Sequence, residues 1–144
     1  MAVKPIPDGY HSVTPYLVVR DVAGLIDFLK AVFGATELLR TSAGGGIHAE
    51  VKIGDSIVMM GEGSGHEPMP AMLHLYVEDT DAAYQRALRA GATSQEAPND
   101  TFYGDRRAGV LDPFGNRWYI ATHVEDLRPE EIAARAEALT KGRR

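Results

Sequence analysis

Three stretches of this 144-residue chain set ionisable and aromatic side chains at the two-residue period of a strand face. His48, Glu50 and Lys52 alternate with Ala49, Val51 and Ile53; Met72, His74 and Tyr76 alternate with Leu73, Leu75 and Val77; Arg117, Tyr119 and Ala121 alternate with Trp118 and Ile120. Residues i and i+2 share one face of a strand, so the apolar members are expected to pack inward and the polar members to line an open face. Tyr16 is expected on the same face of the first strand. On such a face Glu50 could hold a cation or remove a proton, His74 or Tyr119 could return one, and an Arg could steady an oxyanion. His48, Glu50 and His74 also make a possible metal set of two imidazoles and a carboxylate. Each has a structural reading as well: His48 and Glu50 pairing with each other or with Lys52, His74 as a hydrogen-bonded wall residue, Arg117 solvated at the rim, Tyr119 as a packed ring.

The elements that position these residues occur twice. Tyr16 to Asp21 is a strand ending in a helix-capping Asp, and Gly34-Ala35-Thr36 closes the helix; His74 to Asp79 and Gly91-Ala92-Thr93 repeat the order. The offsets are nearly constant, 58 positions between the Asp residues and 57 between the Gly residues. Two units of that length are a duplication rather than a solenoid. In the first, a strand over 13–19 leads to a helix whose face is Leu25, Ile26, Leu29, Val32 and Phe33, ended by a left-handed Gly34. Strands follow near 36–41, 46–53 and 56–61. The second unit reads as strand 71–77, helix 80–90 and strands near 93–97, 106–111 and 116–123. Module one therefore spans about 12–62, a Gly/Ser/Pro linker 63–70, and module two about 71–123. A helix over 129–140 follows, with Pro129 in its first turn and a thin stripe of Ile132, Ala136 and Leu139 that asks for a packing partner.

Length suits one domain, 1–144, burying about 70% of the surface its unfolded chain exposes. There are no cysteines, which excludes disulfides, thiolate metal sites and a Cys nucleophile. With 15 Lys and Arg against 20 Asp and Glu, the net charge of −5 opposes a phosphate-tracking surface, so nucleic acid is not expected as a partner. Residues 1–7 lack the apolar run of a secretory leader and no stretch approaches a membrane span, so the expected location is cytoplasmic, with no membrane partner. Asp105, Arg106 and Arg107 are expected to be mainly solvated, although one Arg could clamp a carboxylate. His11, His66 and His123 receive no role.

The repeat, together with the block Tyr103-Gly-Asp-Arg-Arg-Ala-Gly-Val-Leu-Asp-Pro-Phe-Gly-Asn-Arg-Trp-Tyr-Ile-Ala-Thr-His-Val-Glu-Asp-Leu127, resembles the vicinal oxygen chelate superfamily of glyoxalases, bleomycin-resistance proteins and extradiol dioxygenases. Within it the chain is most similar to the PhnB-like group, where His is usual at the position of Asn116. The resemblance implies an α+β fold of two βαβββ modules forming a cupped mixed sheet, often in a homodimer, with function on the inner face of the cup. It also implies metal ligands on the first and fourth strands of each module. Those positions fall on Thr14, Met59, Met72 and Tyr119, none an imidazole or carboxylate, so no metal or other cofactor is expected. Met59 and Met72 could suit a soft ion, but read more simply as packing.

The expected function is metal-independent binding of a small aromatic or cationic molecule in a cup lined by Tyr16, His48, Glu50, Met59, Met72, His74, Tyr76, Arg117 and Tyr119. The alternative is a metal-free isomerase, epimerase or lyase in which Glu50, with its pKa raised by the apolar cup, works with His74 and Tyr119. A metal-dependent enzyme of the glyoxalase or dioxygenase kind ranks third.

Overall fold

A computed structural model describes residues 2–63 and 67–142; His66 lies outside the described residues, as does part of the 63–70 linker. Module one consists of β1 (Tyr16–Val18), α1 (Val22–Phe33), β2 (Thr36–Ala43), β3 (Gly46–Ile53) and β4 (Ser56–Gly61). Module two repeats the order as β5 (Met72–Tyr76), α2 (Thr80–Arg89), β6 (Thr93–Asp100), β7 (Asp105–Leu111) and β8 (Arg117–His123), followed by α3 (Pro129–Gly142). The strand orders correspond, β1-β4-β3-β2 and β5-β8-β7-β6, each sheet having one parallel pair and two antiparallel pairs. The expected α+β pair of βαβββ modules is thus present as two four-stranded mixed sheets.

Local chemistry sets the boundaries. The side chain of Asp21 accepts the Gly24 N–H (2.9 Å) and that of Asp79 the Ala82 N–H (3.0 Å), so each repeated Asp caps its helix. Gly34 ends α1 at φ 66°, a left-handed conformation that costs glycine little. The expected strand over 13–19 shortens to three residues: Pro15 has no N–H to give a ladder, and only its carbonyl takes part, accepting the Met59 N–H. In β6, Pro98 is tolerated because the strand lies on the sheet edge and its pairing with β7 shifts register between Glu96 and Asn99.

One continuous apolar core joins the modules. Helix α1 packs beside α2, and Arg86 ties them by donating its Nε–H to the Val32 carbonyl at 2.9 Å. The Phe33 ring at the end of α1 stands 5.4 Å from that of Trp118, on the core side of β8. Leu17, Ala49, Val51 and Met60 from one sheet and Ala108, Val110, Trp118 and Ile120 from the other enter this cluster with the helices. Each sheet therefore has one face on a common helical core and the other turned away from it. Helix α3 stands apart: it buries no residue, and is tethered by Arg135, which pairs with Glu125 at 2.7 Å.

The turn before β8 is built on one carboxylate. Asp112, nearly fully buried, accepts the backbone N–H of Phe114 (2.8 Å) and Asn116 (3.0 Å) and the indole N–H of Trp118 (2.8 Å). Buried donors stripped of their acceptor incur their full desolvation penalty. Asp112→Ala is accordingly expected to destabilise the protein by about 3 kcal/mol in urea unfolding, with Asp112→Asn, which keeps one acceptor oxygen, losing less. Equal loss in the two variants would contradict this account of the turn.

Candidate functional site

The outward face of the first sheet is organised by its register. Tyr16 on β1 and Glu50 on β3 both lie opposite Met59 on β4, and His48 lies opposite Gly61. Gly61 opens a passage across the sheet: a Cβ there would sit 2.4 Å from the Tyr16 hydroxyl. That hydroxyl reaches His48 Nδ1 at 3.2 Å, while His48 Nε2 contacts Glu50 Oε2 at 2.9 Å. A carboxylate can only accept, so Nε2 carries the proton of this bond. The other oxygen of Glu50, Oε1, accepts the hydroxyl of Tyr10, a residue ahead of β1. A relay of donors therefore ends on Glu50, which is 7% exposed.

These bonds decide the electrostatics. The Tyr10 hydroxyl first, and His48 second, hold the Glu50 carboxyl below the usual glutamate range against the opposing effect of burial. The same bond pushes the Tyr10 phenol up. A raised Glu50, as a proton-removing role would require, is therefore not what the chain builds.

The outward face of the second sheet carries a second buried carboxylate. Asp105, expected to be solvated, is 2% exposed and accepts the Tyr76 hydroxyl at 2.8 Å and His123 Nδ1 at 2.9 Å. His123 Nε2 meets Asp126 at 2.7 Å, and the two carboxylates, Asp105 first, raise the imidazole's pKa. Arg107, also expected in solvent, forms a two-pronged pair with Glu96 (2.8 and 3.0 Å), donates to the Tyr103 hydroxyl and lies 5.1 Å over the Tyr119 ring. Glu96 first, and nearby Tyr103 and Tyr119 further, raise the guanidinium's pKa. Arg106 is half-buried, pairing with Asp81 and Asp100.

The expected lining thus divides between two walls. Tyr16, His48, Glu50 and Met59 belong to the first; Met72, His74, Tyr76, Arg117 and Tyr119 to the second. Glu50 and His74 occupy different sheets: the carboxylate of Glu50 is bonded by Tyr10 and His48, and the His74 ring lies 5.1 Å from that of Tyr76. The set His48, Glu50 and His74 is not assembled, and among the described residues no group of three or more His, Asp or Glu is placed to hold a metal ion. At the positions matched to family ligands, the Thr14 hydroxyl donates to the His11 carbonyl, while Met59, Met72 and Tyr119 offer no imidazole or carboxylate. These residues do not fit a hard metal.

A sizeable cavity lies elsewhere. About 730 Å³ opens between the modules, floored by Phe33, Ile53, Leu75 and Val77 with Tyr76 and His123 on its rim. Leu73, Leu75 and Val77, expected in the core, are only partly buried, whereas Leu17 and Val19 of the first module are 1% exposed. Where β1 and β5 adjoin, a smaller cleft of about 410 Å³ has Tyr16 and His74 among its lining.

Sequence reasoning missed Tyr10, Asp105 and His123. Tyr10 precedes any periodic segment, and its one local signal is the turn made by Pro7 and Gly9, in which Tyr10 N–H bonds the Pro7 carbonyl. Asp105 and His123 lie opposite each other only through the β7–β8 register.

A two-module βαβββ chain with polar outward walls defines a protein of the glyoxalase type. Residues 9–120 match the Glyoxalase/Bleomycin resistance protein/Dioxygenase superfamily, and the chain belongs to it. It is 39% identical over 137 residues to the uncharacterized protein Rv0887c of Mycobacterium tuberculosis (strain H37Rv), covering 85% of this chain and 81% of that one. The identity to the uncharacterized protein Mb0911c of Mycobacterium bovis is also 39%, over 85% and 90% of the two chains. Among solved structures, TioX from Micromonospora sp. ML1 superposes with a TM-score of 0.67 at 30% identity, covering 79% of this chain and 99% of that one.

A depressed carboxyl stabilises the fold above its unfolded value, and that stabilisation is lost as pH falls through the folded value. Glu50 should therefore titrate below 4.5 in a ¹³C-carboxyl NMR experiment, and the double change Tyr10→Phe, His48→Ala should move the midpoint upward. A wild-type midpoint at or above 4.5 would contradict the hydrogen-bond account.

Proposed function

We propose that the protein is a metal-independent binder of a small aromatic or cationic molecule, acting as a cytoplasmic homodimer. The observation that carries this reading is Glu50: a nearly buried, donor-supported carboxylate beside the exposed ring of Tyr16 and the thioether of Met59. An apolar, aromatic surface with a few fixed polar groups is the usual make-up of a ligand site. A ligand lying on the first wall would stack on Tyr16 and present a donor to Glu50.

A single chain turns its two walls away from one helical core, so neither wall closes a cavity alone. Tyr16, Met72 and Tyr76 are 50%, 64% and 60% exposed, large apolar groups for an outer surface. In the dimer we propose, the first wall of one chain faces the second wall of the other, giving two equal closed cups. Met72, His74, Tyr76, Arg117 and Tyr119 of the partner would then complete the lining opposite Glu50. The alternative, a metal-free isomerase, epimerase or lyase using Glu50 with His74 and Tyr119, is weakened because Glu50 holds its proton less tightly than an ordinary glutamate.

Light scattering at micromolar concentration should give twice the chain mass, with Met72→Asp shifting it toward monomer. In calorimetric titrations against basic aromatic antibiotics and related amines, a saturable ligand is expected whose affinity falls about tenfold or more in Glu50→Gln, as for a lost charge-assisted bond. No saturable binding across the panel, or binding indifferent to Glu50, would defeat the reading.

A further inference from the structure

The two oxygens of Glu50 are held by partners of different standing. Oε2 belongs to the scaffold: His48 lies two residues away on the same strand and is itself braced by Tyr16 across Gly61. Oε1 is held by Tyr10, 40 positions earlier and outside both modules. The segment carrying Tyr10 is lightly attached. Residues 2–9 are all exposed, the Lys4–Asp8 pair joins two largely exposed side chains, and Tyr10 itself is only half-buried. Releasing the segment from the sheet costs little packing, because few of its groups leave water on folding.

We infer that Tyr10 is a resident occupant of the binding site, and that the ligand it stands in for carries a phenolic hydroxyl, which displaces Tyr10 from Glu50. This rests on the reading of the Glu50 wall as the ligand site. An ionised carboxylate only accepts and has no proton to give, so whatever replaces Tyr10 must be a donor. A phenol exchanges like for like: one neutral O–H on a planar ring replaces another, and the bonds from His48 and Tyr16 remain intact. The incoming ring would take the space of the Tyr10 ring. An aromatic ligand without a donor would leave Glu50 Oε1 without a partner, which selects against it. Because Tyr10 must open first, the free protein binds more weakly than the bare site would, by the fraction of molecules in which the contact is open.

Full-length protein should be titrated with 4-fluorophenol by ¹⁹F NMR, with 4-fluorobenzylamine and fluorobenzene as comparators, in wild type, Tyr10→Phe, Glu50→Gln and the double variant. Tyr10→Phe keeps the ring and removes the competing hydroxyl, so 4-fluorophenol should bind about tenfold tighter, the gain expected when a closed state is abolished. Fluorobenzene should show no gain, and Glu50→Gln should erase the gain for phenol. In wild type, saturating 4-fluorophenol should shift the ¹³Cζ resonance of Tyr10 toward that of a free tyrosine, a readout needing no variant. If Tyr10→Phe leaves phenol binding unchanged or weaker while Glu50-dependent binding persists, Tyr10 is a wall residue and the inference fails alone. A larger gain for the benzylamine overturns the phenol assignment. If no probe binds saturably in a Glu50-dependent way, both the inference and the binding reading fall.

Discussion

The rest of the molecule depends on the contact of α1 with α2. Neither four-stranded sheet has an apolar face that could stay in water: the first buries it chiefly against α1, the second against α2, and the two helices pack on each other to close one core. Once that layer is shared, the pleat dictates where chemistry can lie: every second residue of β3, β5 and β8 must point away from the core. His48, Glu50, His74, Tyr76 and Tyr119 are on outward walls because Ala49, Val51, Leu75, Trp118 and Ile120 are drawn inward. A slip of one residue in any of these strands would exchange the two sets, so the apolar core fixes the polar site as firmly as it fixes the fold.

The modules meet the same electrostatic problem in parallel ways. A carboxylate removed from water is costly unless donors replace its hydration. Glu50 on β3 gains a tyrosine and a histidine, Tyr10 and His48; Asp105 at the start of β7 gains Tyr76 and His123. The positions do not correspond in the duplicated frame, since the residue matching Glu50 in the β7–β8 register is Gly109, opposite Tyr119 as Glu50 is opposite Met59. Gly109 leaves room for the Tyr119 ring, and Arg107, at the position matching His48, covers that ring. The duplication has kept the backbone and redistributed the charge.

Much of this was legible in the sequence because it is periodic or local. The repeated Asp caps, the Gly34 terminator and the alternation of His48-Ala49-Glu50-Val51 each express themselves within a few residues, and the structure places them accordingly. The Asp-Pro-Phe-Gly-Asn turn was recognisable as a block, but not that Asp112 would gather the Trp118 indole as well as two backbone donors. The failures share a cause. Asp105 beside two arginines looks like a solvated cluster until the β7–β8 register sets it opposite His123, and Tyr10 has no period at all. Leu75 and Val77 read as core because alternation assigns a face without measuring how much covers it. On β5 the cover is incomplete, and the 730 Å³ cavity marks the shortfall.

Sequence also suggested that an apolar cup would raise the pKa of Glu50, and the outcome shows why burial alone is a poor guide. Desolvation does push this carboxyl upward, but two hydrogen bonds to the ionised form outweigh it. The difference separates two kinds of site. A base that removes a proton next to a carbonyl needs a carboxylate whose proton affinity approaches the working pH, and it gains that by lacking donors. A carboxylate surrounded by donors does the reverse: it stays charged and oriented, and it offers an acceptor whose strength is already spent in part on its own chain. Such a group discriminates between ligands by what they can donate, and Gly61, by admitting the Tyr16 hydroxyl to His48, holds that arrangement in place. The absence of one side chain on β4 is therefore as much a part of the site as the carboxylate it serves.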